Sequence, residues 1–218
     1  MTSSHTDPGA GHDHDHDHDH TPPPDSGEAL SHYQLMEVAV RELLIEKGVF
    51  TAGDVRAAVE AMDSRSPEGG ARVVAKAWVD PEFKARLLED GTAACESMGF
   101  DMGPTNLLVV ENTPEAHNVI VCTLCSCYPR MLLGLPPDWY KSREYRSRVV
   151  REPRVVLREF GTELPDDVTL RVHDSTADMR YLVLPMRPAG TEGMSEEELT
   201  ALVTRDCMVG VSLPKSPD

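Results

Sequence analysis

This chain has few aromatic residues, few basic residues and no apolar run long enough to cross a membrane. Its 21 Lys and Arg residues stand against 37 Asp and Glu residues, and the formal charge of −16 argues against a nucleic-acid partner, because phosphate binding needs a basic surface. The N-terminus is polar and unlike a secretory signal, so we expect no membrane partner and a cytoplasmic location. A hydrophobic content of 40% in 218 residues is enough for one ordinary domain with an arm or tail.

Cysteine is also scarce, and its placement is uneven. Five cysteines are an odd number, which does not suit a secreted disulfide framework and favours a reducing compartment. Three of them, Cys122, Cys125 and Cys127, lie within six residues. The β-branched run at 118–121 predicts a strand leading into them, and Tyr128-Pro129 prevents a simple continuation of helix or strand. We therefore expect the three thiols on a loop at the end of a strand, where functional sites are often built.

The hydrophobic pattern divides the chain into three parts and predicts an α+β fold. Residues 1–27, with alternating His and Asp and then three prolines, are predicted to be a disordered tail that either collects divalent metal or keeps the chain in solution. Residues 28–100 are predicted to be a helical arm, and residues 101–218 a metal-binding α/β domain. Helices are predicted over 33–47, 51–62, 72–78, 81–91, 92–98, 142–151, 153–160 and 195–203, and strands over 107–111, 119–122, 168–172, 180–185 and 209–213.

Local signals set several of these boundaries. Asp80-Pro81 is typical of an N-cap followed by a first-turn proline, and Ser195 with Glu198 has the spacing of a capping box. Gly69-Gly70 is expected to separate the second helix from the third. Cys95 is expected to be a buried small residue on its helix.

The three thiols are compatible with more than one metal site. A structural zinc site would need a fourth ligand from Cys95, Cys207 or His117. An iron–sulfur site lacks a fourth cysteine at a suitable spacing. Neither site is well supported by the spacing alone.

A different site follows from the single residue between Cys125 and Cys127. The peptide nitrogens of Ser126 and Cys127 lie between the two sulfurs, so this stretch offers two sulfurs and two deprotonated amides in one plane. The sulfur of Cys122 can bind along the axis, which leaves one open position for chemistry. Amidate donors suit a low-spin trivalent ion, cobalt or iron, better than zinc.

The segment Val121-Cys-Thr-Leu-Cys-Ser-Cys-Tyr-Pro129 resembles the metal-binding motif of the nitrile hydratase α subunit and of its relative, the thiocyanate hydrolase γ subunit. The resemblance covers roughly residues 33–214. Further matching segments are Ala75–Pro81, Glu89–Thr92, Val110–Pro114, Leu133–Pro137, Trp139–Lys141, Tyr145–Arg146, Val150–Arg154, Arg180–Tyr181, Arg187–Gly193 and Val203–Cys207.

The resemblance implies a metal centre with defined ligands. Cys122, Cys125 and Cys127 would supply sulfur, and Ser126 and Cys127 would supply amide nitrogen. Cys125 would be oxidised to the sulfinic and Cys127 to the sulfenic state, so that these two residues are the catalytic ones. Thr123 and Tyr128 match the cobalt-type pattern, which implies one cobalt(III) per chain rather than iron(III).

The resemblance also implies partners. The fold would be a layered α/β domain with an N-terminal helical arm that grips a β-type subunit, present as one or two separate chains. A metallochaperone or activator would load the metal. Active-site arginines in this family come from the partner, so the chain alone is expected to be poorly active. The arginine-rich stretch 143–154 is either a solvated face or a subunit contact.

One departure from the pattern bears on the substrate. Nitrile hydratases usually place Trp-Pro after Tyr128-Pro129, whereas this chain has Arg130-Met131, as in thiocyanate hydrolase γ. Arg130 is either a surface or interface cation, or a residue that shapes the substrate pocket. We expect a nitrile hydratase subunit acting on a small-molecule nitrile, including a nucleoside nitrile such as toyocamycin. The alternatives are a thiocyanate hydrolase γ subunit and, in another class, a non-catalytic metal-binding subunit.

Overall fold

The computed structural model describes residues 30–217, so the predicted tail at 1–27 lies outside the described residues. The chain divides into two compact units between Thr51 and Ala52. The first unit contains helix α1 (His32–Glu46), which begins at a capping box: Gln34 N donates to Ser31 Oγ at 3.3 Å and Ser31 N donates to Gln34 Oε1 at 2.8 Å. No residue of α1 is fully buried, and several of its apolar side chains, such as Tyr33 and Leu35, are exposed.

The second unit begins with four helices, α2 (Ala52–Asp63), α3 (Glu68–Val79), α4 (Pro81–Glu89) and α5 (Gly91–Ser97). Asp80 caps α4 by accepting from Phe83 N at 2.9 Å, as the Asp80-Pro81 signal predicts. Asp90 caps α5 in the same way. The boundary expected between residues 100 and 101 stays a prediction.

The expected helix break at Gly69-Gly70 is wrong, because α3 begins at Glu68 and includes both glycines. The reason is packing. A Cβ on Gly70 would lie 2.5 Å from Leu133 Cδ2 and 2.7 Å from Met208 Sδ. Glycine is needed here so that the helix can approach its neighbours closely, and the cost in helix propensity is offset by that contact.

Within residues 30–217, four strands form two separate parallel pairs. β1 (Asn106–Glu111) pairs with β4 (Met179–Leu184), and β2 (Ala116–Val121) pairs with β3 (Thr169–Asp174). Every residue of β2 is buried: Val119, Ile120 and Val121 are apolar, and the polar side chains of His117 and Asn118 are hydrogen-bonded. Because β2 and β3 run parallel and in register, their carboxyl ends meet at one edge, where the thiol loop begins.

The remaining helices are short. They are α6 (Arg130–Leu133), α7 (Asp138–Lys141), α8 (Arg143–Arg148), α9 (Pro153–Glu159), α10 (Glu196–Leu202) and α11 (Arg205–Val209). The predicted capping box of α10 is confirmed, with Ser195 N donating to Glu198 Oε2 at 2.7 Å. α6 and α7 were not predicted.

The strand predicted over 209–213 is wrong. Thr204 caps α11, the helix ends at Val209, and Gly210 follows with a φ of 91°. Gly210 adopts the left-handed conformation and ends the helix. The apolar residues around it are therefore buried at the end of a helix, and they do not form a strand.

The core lies where α3, α4 and α5 pack with the strands and α11, and an aromatic cluster closes it near α7 and α8. Trp139, for example, packs edge to face on Tyr145, with ring centroids 4.9 Å apart. The mixture of helices and strands agrees with the predicted α+β class. Within residues 30–217, no helix has the length and apolar character that a membrane crossing requires.

Candidate metal centre

The three clustered thiols lie on the loop that follows β2. Cys122, the first residue after the strand, is buried, whereas Cys125 is exposed and Cys127 is partly exposed. The Sγ atoms of Cys122 and Cys125 are 3.4 Å apart, and those of Cys125 and Cys127 are 3.3 Å apart. All three sulfurs lie within 4.8 Å of one another, and in the described part of the chain this is the group of His, Cys, Asp or Glu side chains that could hold a metal ion.

The other candidate zinc ligands are engaged elsewhere. Cys95 is fully buried in α5, where burial raises the pKa of its thiol to about 12. Cys207 donates its thiol to Thr204 O at 3.0 Å inside the cap of α11. His117 is buried, with Nε2 2.8 Å from Gly210 O. None of these three joins the thiol cluster, so the zinc hypothesis lacks its fourth ligand.

Hydrogen bonding within the loop favours ionisation of one thiol first. Hydrogen bonds from Cys127 and Cys122 and from the backbone of Ser126 lower the pKa of Cys125 to about 7. Burial, and the hydrogen bond that Cys127 gives to Cys125, raise the pKa of Cys127, while the nearby Arg180 acts in the opposite direction. Cys125 is therefore the more acidic thiol of this pair.

The loop backbone is held from three sides. Asp174, at the end of β3, accepts from Thr123 N at 2.9 Å and from Thr123 Oγ1 at 2.5 Å. Tyr140 donates its hydroxyl to Cys127 O at 2.8 Å. Arg146 Nη1 donates to Leu124 O and Cys125 O at 3.2 and 3.0 Å. These contacts fix the ends and the middle of the loop before any metal is bound.

The predicted pocket residues take different positions. Thr123 faces Asp174 and not the sulfurs. Tyr128 is buried, with its ring centroid 5.0 Å from that of Tyr140, and its hydroxyl has no hydrogen-bond partner among the described residues. Arg130 is exposed at the start of α6 and lines the cavity beside the thiols.

That cavity has a volume of about 270 Å³. Cys125, Ser126 and Cys127 form one wall, and Arg130 and Arg180 add two positive charges. The remaining lining side chains are Met102, Thr105, Leu107, Tyr128, Pro129 and Met131. A small molecule can therefore reach the thiols from a partly apolar, positively charged space.

Four residues of the site escaped the sequence analysis: Tyr140, Arg146, Asp174 and Arg180. Asp174 could have been found only by pairing β3 with β2, because the register places it opposite Val121, next to the loop. Arg180 reaches the cavity through the pairing of β4 with β1. Arg146 was visible as one of several arginines and in the matching segment Tyr145–Arg146, but neither observation gave it a role at the thiol loop.

The three clustered sulfurs fit a metal ion that accepts thiolate ligands. A family model described as the nitrile hydratase alpha chain matches residues 31–212. The chain belongs to this family. It is a nitrile hydratase α-type catalytic subunit with a cysteine cluster able to bind metal, in a family whose members work with β-type partners.

The curated relatives include both enzymes that the motif resembles. The chain is 52% identical over 181 residues to the cobalt-containing nitrile hydratase subunit alpha of Pseudonocardia thermophila, covering 82% of this chain and 89% of that protein. It is 49% identical over 200 residues to the thiocyanate hydrolase subunit gamma of Thiobacillus thioparus, covering 86% of this chain and 82% of that protein.

Solved structures confirm the predicted fold. A recombinant thiocyanate hydrolase comprising partially modified cobalt centres aligns with a TM-score of 0.81 at 47% identity, covering 86% of this chain and 92% of that one. A double histidine-to-alanine mutant of the Fe-type nitrile hydratase from Comamonas testosteroni Ni1 aligns with a TM-score of 0.78 at 48% identity, covering 85% and 91%. Both metals therefore occur among the similar proteins.

Proposed function

We propose that this chain carries one low-spin cobalt(III) in its thiol loop and, with a β-type subunit, hydrates a nitrile to the amide. The observation that supports this most is the convergence of three sulfurs within 4.8 Å on a loop that opens into a cavity. The reaction adds water across the carbon–nitrogen triple bond, so RCN and H₂O give RCONH₂.

The ligand roles follow from the donors on the loop. Cys122, Cys125 and Cys127 would hold the ion through sulfur, and Ser126 and Cys127 would hold it through amide nitrogen. When bound, the ion supplies a Lewis acid that polarises a nitrile or activates water. With Cys125 as the sulfinic and Cys127 as the sulfenic acid, the sulfenate oxygen of Cys127 would serve as the nucleophile or base at the cavity wall.

Cobalt is proposed over iron because of two loop residues and the relatives. Thr123 and Tyr128 follow the cobalt-type pattern, and three curated relatives at 51–52% identity are named as cobalt-containing. The similar Fe-type structure supports iron as the alternative. Metal analysis of the purified complex distinguishes the two.

The cavity supports a second candidate function, the hydrolysis of thiocyanate. Arg130 and Arg180 place two positive charges beside the thiols, which favours an anionic substrate over a neutral one. In that reaction SCN⁻ and two H₂O give COS, NH₃ and OH⁻. The 49% identity over 200 residues to a thiocyanate hydrolase subunit gamma also supports it.

The deciding experiment is co-expression with one or two β-type chains and an activator, followed by parallel assays on an aromatic nitrile, toyocamycin and thiocyanate. Amide from either nitrile supports the first proposal, and carbonyl sulfide from thiocyanate supports the second. Mass spectrometry should find cobalt and two or three added oxygens on the peptide with Cys125 and Cys127. One zinc per chain and no added oxygen would leave a non-catalytic metal-binding subunit.

The cytoplasmic location also stays a prediction.

A further inference from the structure

Arg146 of α8 is bonded to two successive peptide groups of the thiol loop. Its Nη1 donates to Leu124 O at 3.2 Å and to Cys125 O at 3.0 Å. Its Nε donates to Ser142 O at 3.3 Å, on the N-cap of its own helix. The guanidinium is therefore fixed between a helix end and the loop, and its planar shape allows these bonds at the same time.

The neighbouring arginines do not share this position. Arg143, Arg146 and Arg151 line one open cavity together with Thr123 and Leu124. Arg151, which follows the end of α8, donates to Ser147 O on that helix. Arg143 is exposed, and within residues 30–217 its side chain makes no hydrogen bond or ion pair. Arg146 alone of the three touches the loop backbone.

The bonded oxygen of Cys125 belongs to the same peptide group as the nitrogen of Ser126. A peptide group is a resonance system, so charge on the nitrogen of a metal-bound amidate is shared with that oxygen. Arginine stays charged throughout the physiological range, and a hydrogen bond from a cation to a charged acceptor is stronger than one between neutral groups. Arg146 thus faces the oxygen on which negative charge would gather when Ser126 N ligates a metal.

The other side chains that hold the loop do not bond to the Cys125–Ser126 peptide group. Asp174 holds Thr123, before the chelating stretch, and Tyr140 bonds to Cys127 O, beyond the last amide nitrogen of the set. The peptide group between Cys125 and Ser126 is supported by Arg146.

We propose that Arg146 is the positioning residue of the chelating stretch: it fixes the Cys125–Ser126 peptide group for metal binding and stabilises the charge that this group carries when bound. The inference rests on the ligand set of the proposed function. It does not depend on which substrate is turned over.

The test compares R146Q, R146K and R143Q in the complex with the β-type partner, all loaded with cobalt. The readouts are cobalt per chain, the half-life of bound cobalt in excess chelator, and the wavelength of the sulfur-to-cobalt charge-transfer band. R146Q should lose cobalt about tenfold faster and shift the band, because the charge-assisted hydrogen bond to Cys125 O is lost. R146K keeps the positive charge but lacks the planar guanidinium, so its cobalt half-life should fall between those of R146Q and the wild type. R143Q should match the wild type.

A role of Arg146 in helix packing alone would lower the melting temperature without changing the band or the half-life. Wild-type half-lives in both Arg146 variants, or equal effects of R146Q and R143Q, would overturn the proposal. If R146Q does not fold, a half-life in R146K equal to the wild type overturns it. A wild-type complex that holds cobalt but hydrates no nitrile would refute the proposed function, while the order of the variants would still decide the role of Arg146.

Discussion

The carboxylate of Asp174 accepts two hydrogen bonds from Thr123, one from its backbone N–H at 2.9 Å and one from its hydroxyl at 2.5 Å. The two residues are far apart in sequence and meet because β3 lies parallel to β2 and in register with it. The first turn of the thiol loop is thus anchored to the neighbouring strand. Metal binding does not have to order this part of the loop.

We expect D174A to release the start of the loop. The loss of two hydrogen bonds should lower the free energy of unfolding by roughly 2 kcal/mol and shorten cobalt retention. Chemical denaturation and a chelator assay measure the two effects. D167A, which removes an exposed carboxylate just before β3, is the matched control and should change neither. Equal cobalt retention in D174A and D167A would contradict the anchoring role.

Two buried tyrosines offer a matched pair. Tyr140 donates to Cys127 O on the loop at 2.8 Å, and Tyr145 donates to Ile120 O on β2 at 2.7 Å. Both Y140F and Y145F should lower the free energy of unfolding by about 1 kcal/mol, because each loses one hydrogen bond. Only Y140F should shift the absorption band of bound cobalt. The prediction is wrong if Y145F shifts the band equally.

Stability should depend on pH through His117. Burial lowers the pKa of this histidine, which stays neutral while Asn112 and Gly210 bond to its ring. As the pH falls below about 6.5, this histidine is protonated in the unfolded chain but stays neutral in the folded chain. The free energy of unfolding therefore falls by no more than about 1.4 kcal/mol per pH unit. At pH 8 the contribution is fully present.

Denaturation curves between pH 8 and pH 5 test this titration. H117Q should be less stable at pH 8 but should lose less on acidification. His173, whose pKa is also lowered by burial, should add to the slope. H32Q, at an exposed position of α1, is the control and should retain the full wild-type slope. A slope unchanged in H117Q would rule out this assignment.

Alanine substitutions at two glycines with a positive φ distinguish the cost of backbone strain from the cost of a steric clash. Gly161 has a φ of 79° and open space around it, whereas a Cβ on Gly210 would lie 2.0 Å from Asn118 O. G161A should cost about 1–2 kcal/mol from the left-handed backbone alone. G210A adds a clash with the β2 backbone and should cost roughly 3 kcal/mol or more. Melting temperatures compare the two, and equal losses would contradict the packing argument.

The cavity charge predicts a change of substrate preference. Replacing Arg130 by tryptophan, the residue usual in nitrile hydratases at this point, removes one of two cations and adds an apolar wall. R130W should raise the ratio of nitrile to thiocyanate turnover about tenfold, within what one pocket contact can contribute. R143Q lies outside this cavity and should leave the ratio unchanged. No change in R130W would make Arg130 a surface or interface cation.

Local signals predicted much of the helical part. Asp80-Pro81 and the Ser195–Glu198 capping box carry their own hydrogen bonds, so sequence alone places those helix starts. The signal failed at Gly70, because a glycine required for close packing has the same appearance as one that breaks a helix. It failed again after Val209, where a short apolar run at a helix end resembles a strand.

The thiol cluster was predicted because its residues are neighbours in sequence, and the structure brings the three sulfurs together. The residues that hold the loop in place were not predicted. Asp174 and Arg180 reach the site through strand pairings, and Tyr140 and Arg146 through the packing of α7 and α8. Such contacts have no pattern in the sequence, because they depend on which strands become neighbours.

The pairing of β2 with β3 also sets an order of events during synthesis. Asp174 lies 51 positions after Thr123, so the ribosome must add the whole of α6 to α9 and β3 before the loop gains its anchor. At a synthesis rate of about 5–20 residues per second, the thiol loop lacks this contact for several seconds after its cysteines are added. The Thr123–Asp174 anchor of the thiol loop can therefore form only after β3 has been synthesised.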